Sequence, residues 1–97
     1  MIKFELLVTP KWLDLKVRGH DADGTAGFHA VCGMVSAVSQ TCAYGLQRYC
    51  KGNVMEYEPG RLRVKARNLP TARALCLSCV RGLNAIKQQF PKDFEED

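Results

Sequence analysis

The stretch LDLKVRGHDADGTAGFHAVCGMVSAVSQTCAYGL, residues 13–46, changes its hydrophobic period once, and that change decides the fold. Leu13, Leu15 and Val17 alternate with Asp14, Lys16 and Arg18, the two-residue period of a half-buried strand. Gly19 through Gly27 breaks the pattern, and Asp23, Gly24 and Gly27 mark a loop. From about Phe28 the period lengthens. Val31, Val35, Val38, Cys42, Leu46 and Tyr49 recur at helical spacing. A second stripe on the same segment, Cys32, Ser36, Ser39 and Ala43, consists of small residues that let another backbone come close.

Upstream, Ile2, Phe4, Leu6 and Val8 alternate with Lys3 and Glu5, and Thr9-Pro10-Lys11 reads as a turn, so the chain opens with a hairpin. Downstream, Lys51-Gly52-Asn53 stops the helix, with Gly52 as the expected terminator. Val54 to Tyr57 is a short strand and Glu58-Pro59-Gly60 a tight turn. Leu62, Val64 and Ala66 then alternate with Arg61, Arg63, Lys65 and Arg67. Asn68 is the expected cap of a last helix with Pro70 in its first turn. Ala72, Leu75, Cys79, Leu83, Ile86 and Phe90 line one face of it. Pro91 ends it, and the acidic tail 93–97 is expected to fray. The order is β-β-α-β-β-α, with β-β-α occurring twice. This is an α+β chain of two layers, in which two helices cover one face of a four-stranded, largely antiparallel sheet.

A chain of 97 residues makes one domain, spanning 1–97. A net charge of +4 is too small to mark a nucleic-acid binder by itself. Residues 24–47 lack Asp, Glu, Lys and Arg over a length that spans a bilayer. Thr25, His29, Ser36, Ser39, Gln40 and Thr41 within it favour a buried helix over a membrane span. Five cysteines, an odd set with no secretory leader before them, point to a reducing cytoplasmic setting and free thiols.

Cys32 is the sharpest chemical candidate. It falls near the start of the long helix, where the dipole and free N–H groups favour a thiolate and could hold an oxyanion. His20 ends the second strand. If that strand neighbours the helix start, its imidazole meets the sulfur as base and then acid, under a lid formed by residues 21–28. Against this, most buried cysteines are inert packing residues. Cys76-Leu77-Ser78-Cys79 offers only two ligands where a zinc site needs four, and it lies mid-helix, so core packing is its expected role. No metal and no cofactor is expected. The basic row Arg61, Arg63, Lys65 and Arg67, joined by Lys16 and Arg18, reads as weak contact with ribosomal RNA or an acidic protein surface, or, the favoured reading, as a solvated sheet face. Asp14, Glu56 and Glu58 are placed to neutralise it, and no aromatic residues interleave for base stacking.

Gly19-His20, then Gly27, then Val31-Cys32 and Val35-Ser36-Ala37 resemble the signature of the Prp family, the ribosomal-processing cysteine proteases. The family pattern runs Gly-His-Ala, a short loop, then Gly-x-Asp-Ile-Val-Cys-Ala-Ala-Val-Ser-Ala-Leu, and the His-to-Cys spacing matches without a gap. A final Phe90-Pro91 step extends the likeness over the whole chain. The resemblance implies a dyad of His20 as base and Cys32 as nucleophile, and a homodimer. It also implies a substrate: the N-terminal tail of a large-subunit ribosomal protein precursor, cut after an aromatic residue. Gly19, Asp21, Gly27, His29 and Ser36 are the site-supporting or substrate-binding positions. Three departures bear on specificity: Asp21 stands for the family's Ala, His29 for its Asp, and Gly33-Met34 for its Ala-Ala. His29 is either a second base on the face of Cys32 or a solvent-facing residue at the helix start. Ser36 either bonds within the site or packs. With Asp21, His29 and the basic strand in view, the competing reading is a non-catalytic ribosome-associated binding module of the same fold.

Overall fold

The computed structural model describes residues 1–20 and 26–96. The order is β1 (Lys3–Val8), β2 (Trp12–Arg18), α1 (Ala26–Cys50), β3 (Asn53–Glu58), β4 (Arg61–Arg67) and α2 (Pro70–Gln89), followed by a short 3-10 turn, Pro91–Asp93. The four strands form one antiparallel sheet in the order β1-β2-β4-β3, so the hairpins meet through β2 and β4. This is the β-β-α-β-β-α, two-layer arrangement that the periodicities predict.

The two periods explain the layers. In the β2–β4 register Leu13 faces Ala66, Leu15 faces Val64 and Val17 faces Leu62, and all six side chains are buried. Both helices lie on that face, α1 over β3 and β4, α2 over β1 and β2, and they pack against each other. Val31, Val35, Cys42 and Leu46 of α1 join the core, and so do Cys32, Ser39 and Ala43 of its small stripe. The two stripes meet the sheet and α2 from one helix. Tyr49 is the exception: at 73% exposed it lies in the last turn of α1 and outside the core. On α2 the buried set is Ala72, Cys76, Cys79 and Leu83. Cys76 and Cys79 are therefore core residues, and among the described residues no cluster of His, Cys, Asp and Glu is arranged to hold a metal ion. All five cysteines are free thiols. No described helix is long and apolar enough to cross a membrane.

The opposite face carries the basic row, and its charges are largely answered. Arg63 donates to both carboxylate oxygens of Asp14, at 3.0 and 2.7 Å, and holds that carboxyl below its ordinary value against the pull of burial. Glu56 pairs with Arg18 at 3.1 Å and Arg61 at 3.9 Å, and the Lys65 ammonium lies 4.9 Å from the Trp12 ring centroid.

Four local expectations are corrected. The long helix begins at Ala26, two residues before Phe28, so part of the expected loop is helical. It ends with Lys51, not Gly52, in the left-handed region at φ 54, while the Gly52 N–H bonds the Leu46 carbonyl at 2.9 Å. Leu69, not Asn68, is the N-cap of α2; the Asn68 amide instead donates to the Thr9 carbonyl and accepts from Arg73. The tail is not frayed through its described part. Phe94 is 1% exposed, its ring meets Phe4 edge-on at 6.1 Å, and backbone bonds link Ile2 with Asp93 and Glu95. Acidic neighbours hide this in the sequence, because the apolar anchor is a single residue.

Candidate active site

Strand β2 runs out at Gly19, whose φ of 78 lies in the region where glycine is favoured. A Cβ there would also press into the Met1 carbonyl. Its N–H donates to the carbonyl of Gly60, in the β3–β4 turn, at 2.9 Å. The next residue, His20, is thereby set beside that turn, and its side chain is buried.

A cleft of about 560 Å³ opens here between α1 and the β3–β4 hairpin. His20, His29, Cys32 and Ser36 all line it, together with Gly33, Gln40, Tyr57, Glu58, Pro59 and Gly60. The fold thus brings together residues that stand far apart in the chain. Cys32 is 1% exposed and sits deep in the cleft, Ser36 is half-buried one turn further along α1, and His29 is exposed one turn before. Gly19 acts behind the cleft, through the backbone. Gly27 falls in the first turn of α1 rather than in a loop, and Asp21 and the rest of the expected lid up to Thr25 lie outside the described residues.

One electrostatic expectation needs correction. A helix leaves only its first four N–H groups free, and the effect of its dipole falls off within the first turn. Cys32 lies six residues after Ala26, so its own N–H is past the free set. The helix end therefore does little for this thiol, and the groups that share its cleft include the imidazoles of His20 and His29.

The wall formed by Tyr57 is absent from the sequence reading. Simple alternation puts Val54 and Glu56 on one face and Met55 and Tyr57 on the other. A bulge between Val54 and Glu56 reverses the phase. Glu56 then opposes Arg63 and reaches Arg18 and Arg61 on the open face, while Tyr57 opposes the core residue Leu62 and turns toward the cleft. Interaction with Tyr44 of α1 raises the Tyr57 phenol above its ordinary value. A charged residue, Glu56, on the apolar phase of a short strand is the signal that could have revealed the bulge.

The other thiols have a different character. Cys42 donates to the Leu75 carbonyl at 3.6 Å and is pushed up to about 12: contact with Cys76 works the other way, but the bond with Cys79 and burial outweigh it. Cys76 is also raised, by its bond with Cys42 and by burial. They join α1 to α2 as neutral packing groups.

No curated protein matches the sequence. Among solved structures, the essential ribosomal processing protease Prp from S. aureus, in complex with a substrate peptide, superposes with a TM-score of 0.79 at 18% identity, over 100% of this chain and 98% of that one. The same protease with a covalently linked product peptide gives 0.76 at 19% identity, over 98% and 96%. SMU.848 from Streptococcus mutans gives 0.78 at 19% identity, over 98% and 94%. At these identities the likeness establishes the fold. The family model for cysteine protease Prp matches residues 1–95, almost the whole chain, and the protein therefore belongs to the cysteine protease Prp family.

Proposed function

We propose that the protein is a cysteine endopeptidase in which His20 and Cys32 form the catalytic dyad, and that it removes the N-terminal extension of a large-subunit ribosomal protein in the cytoplasm. One observation carries this reading: His20 at the end of β2 and Cys32 on α1 line the same cleft. Family membership supports the activity, and the peptide complexes of the S. aureus relative support a peptide substrate.

The chemistry follows from the two groups. His20 takes the thiol proton, and the sulfur of Cys32 attacks the scissile carbonyl carbon to form a C–S bond. The C–N bond breaks as His20 returns the proton to the leaving amine. Water, deprotonated by His20, then adds to the thioester, and the acid and free thiol are released. Ser36 lies one turn from the sulfur and is placed to bond the peptide. His29 stands at the cleft margin where the family has an acid, which changes the charge that a substrate meets.

The extended edge of β1, with Leu7 59% and Val8 52% exposed, supports a homodimer, which sedimentation would test. Paired as it is, the basic face gives weak ribosomal RNA contact little support. The deciding experiment is mass spectrometry of the host's ribosomal protein precursor incubated with wild type and Cys32→Ala. Wild type shortens the precursor and the variant does not; equal cutting by both would overturn the reading.

A further inference from the structure

The floor of the cleft is a single stripe of α1. Cys32, Ser36 and Gln40 each follow the last by four residues, so their side chains stack on one face. At the rise of an α-helix, Gln40 stands about 12 Å from Cys32 along the axis. The facing wall is the β3–β4 hairpin, with Tyr57 turned inward by the bulge. Tyr44, four residues beyond Gln40 on the same stripe, lies near Tyr57. The cleft is therefore a channel: a thiol lies toward one end, and a carboxamide and an aromatic ring lie toward the other.

The spacing matches an extended peptide. Such a chain advances about 3.4 Å per residue, so with its scissile carbonyl at Cys32 it brings its third or fourth residue, roughly, to Gln40 and Tyr57. A carboxamide offers both a donor and an acceptor, the complement of one peptide unit. A tyrosine ring offers apolar area to a side chain. Among the described residues no Lys or Arg lines the cleft to select an acidic peptide.

We infer that the far end of this channel is a recognition subsite remote from the chemistry, in which Gln40 bonds the main chain of an extended peptide and the ring of Tyr57 covers an apolar side chain. The subsite rests on the reading of Cys32 as the nucleophile and deepens it: the protein recognises a length of extended tail, beyond the residue at the cut. Gln40 and Tyr57 are positioning residues, since neither touches the reacting atoms.

The test is read on protein that cannot cut. Two fluorescein-labelled peptides from the precursor junction are titrated into Cys32→Ala by fluorescence anisotropy, one reaching about five residues to each side of the scissile bond and one about two. The longer peptide binds about tenfold more tightly. Adding Tyr57→Ala or Gln40→Ala removes that advantage and leaves the affinity for the short peptide unchanged, while Tyr57→Phe, which keeps the ring, retains most of it. Equal affinity for the two lengths, no binding of the longer one, or an equal loss for both lengths in the variants overturns the subsite. Failure of the wild type to cleave would instead count against the peptidase, because affinity is measured without turnover.

Discussion

Gly19 donates its N–H to the Gly60 carbonyl at 2.9 Å, and this bond fastens the strand end that presents His20 to the turn that walls the cleft. The geometry needs a residue without a Cβ, both for the φ of 78 and because the Met1 carbonyl occupies the space. Gly19→Ala is therefore expected to cost about 2 kcal/mol or more in thermal or denaturant unfolding. Activity of the folded fraction falls too, because His20 moves with the strand end. Unchanged stability would show that the strand end adapts.

If the proposed dyad is right, removing the thiol in Cys32→Ala is expected to abolish peptide hydrolysis. His20→Ala keeps the nucleophile and loses the proton carrier, so kcat/KM falls by roughly 10²–10⁴. Ser39→Ala, which removes a hydroxyl that bonds the Val35 and Ser36 carbonyls within α1, is expected to leave kcat/KM within twofold, roughly. Steady-state kinetics on one peptide substrate checks all three.

Thiol labelling separates the cysteines. Cys42, pushed up to about 12, and Cys76, raised as well, stay protonated at neutral pH and are expected to resist iodoacetamide in the folded protein. If Cys32 is paired with an imidazole it labels faster than either, and its rate levels off below pH 7 instead of climbing through pH 8.5. Peptide mapping after timed alkylation reads both points.

Asp14 links stability to acid. Arg63 holds its carboxyl below the ordinary value of 3.8, so the unfolded chain binds this proton first as pH falls. The contribution is present in full above about pH 4 and disappears as pH drops through the lower folded-state value. The difference in melting temperature between wild type and Asp14→Asn should be largest near neutrality and narrow as pH falls through that lowered value. At neutrality Arg63→Ala is expected to cost about 2 kcal/mol, since it leaves a buried carboxylate without its two charged donors.

Phe94 provides the simplest stability test. It is 1% exposed and packs edge-on against Phe4, so Phe94→Ala is expected to cost about 3–5 kcal/mol by denaturant unfolding. A loss below about 1 kcal/mol would mean that the tail is not held as described.

What was legible in the sequence depended on run length. Leu13 to Arg18 and Leu62 to Arg67 each carry several clean repeats, and the β2–β4 register follows their phase. The long helix was legible from Val31 to Leu46 for the same reason, and His20 and Cys32 were picked out by the resemblance that Gly19, Gly27, Val31, Val35 and Ser36 carry. Features set by one residue were not. The bulge beside Met55 changes which side chains enter the cleft, yet it leaves no mark longer than a single position. Phe94 is one apolar residue among carboxylates. The left-handed residue at the end of α1 is Lys51 because the adjacent Gly52 is needed for close approach to Leu46. Gln40 and Tyr57 share the cleft only because α1 packs over β3, which no local pattern encodes.

The strand-end bond has a double. The Asn68 N–H donates to the Lys11 carbonyl at 2.9 Å, so β4 is tied to the first hairpin's turn as β2 is tied to the second's. The molecule is thus close to two-fold symmetric about the β2–β4 seam. Under that symmetry Leu69 occupies the place of His20, and Cys76, six residues after Pro70, the place of Cys32, six residues after Ala26. Five residues separate His20 from Ala26, and none separates Leu69 from Pro70. A duplicated scaffold therefore offers two equivalent addresses for a thiol. One has a histidine and five more residues of chain before its helix; the other has neither, and its thiol is buried near Cys42. The two halves of one architecture thus part at this address: under the proposed function one carries the chemistry, and the other packs against it.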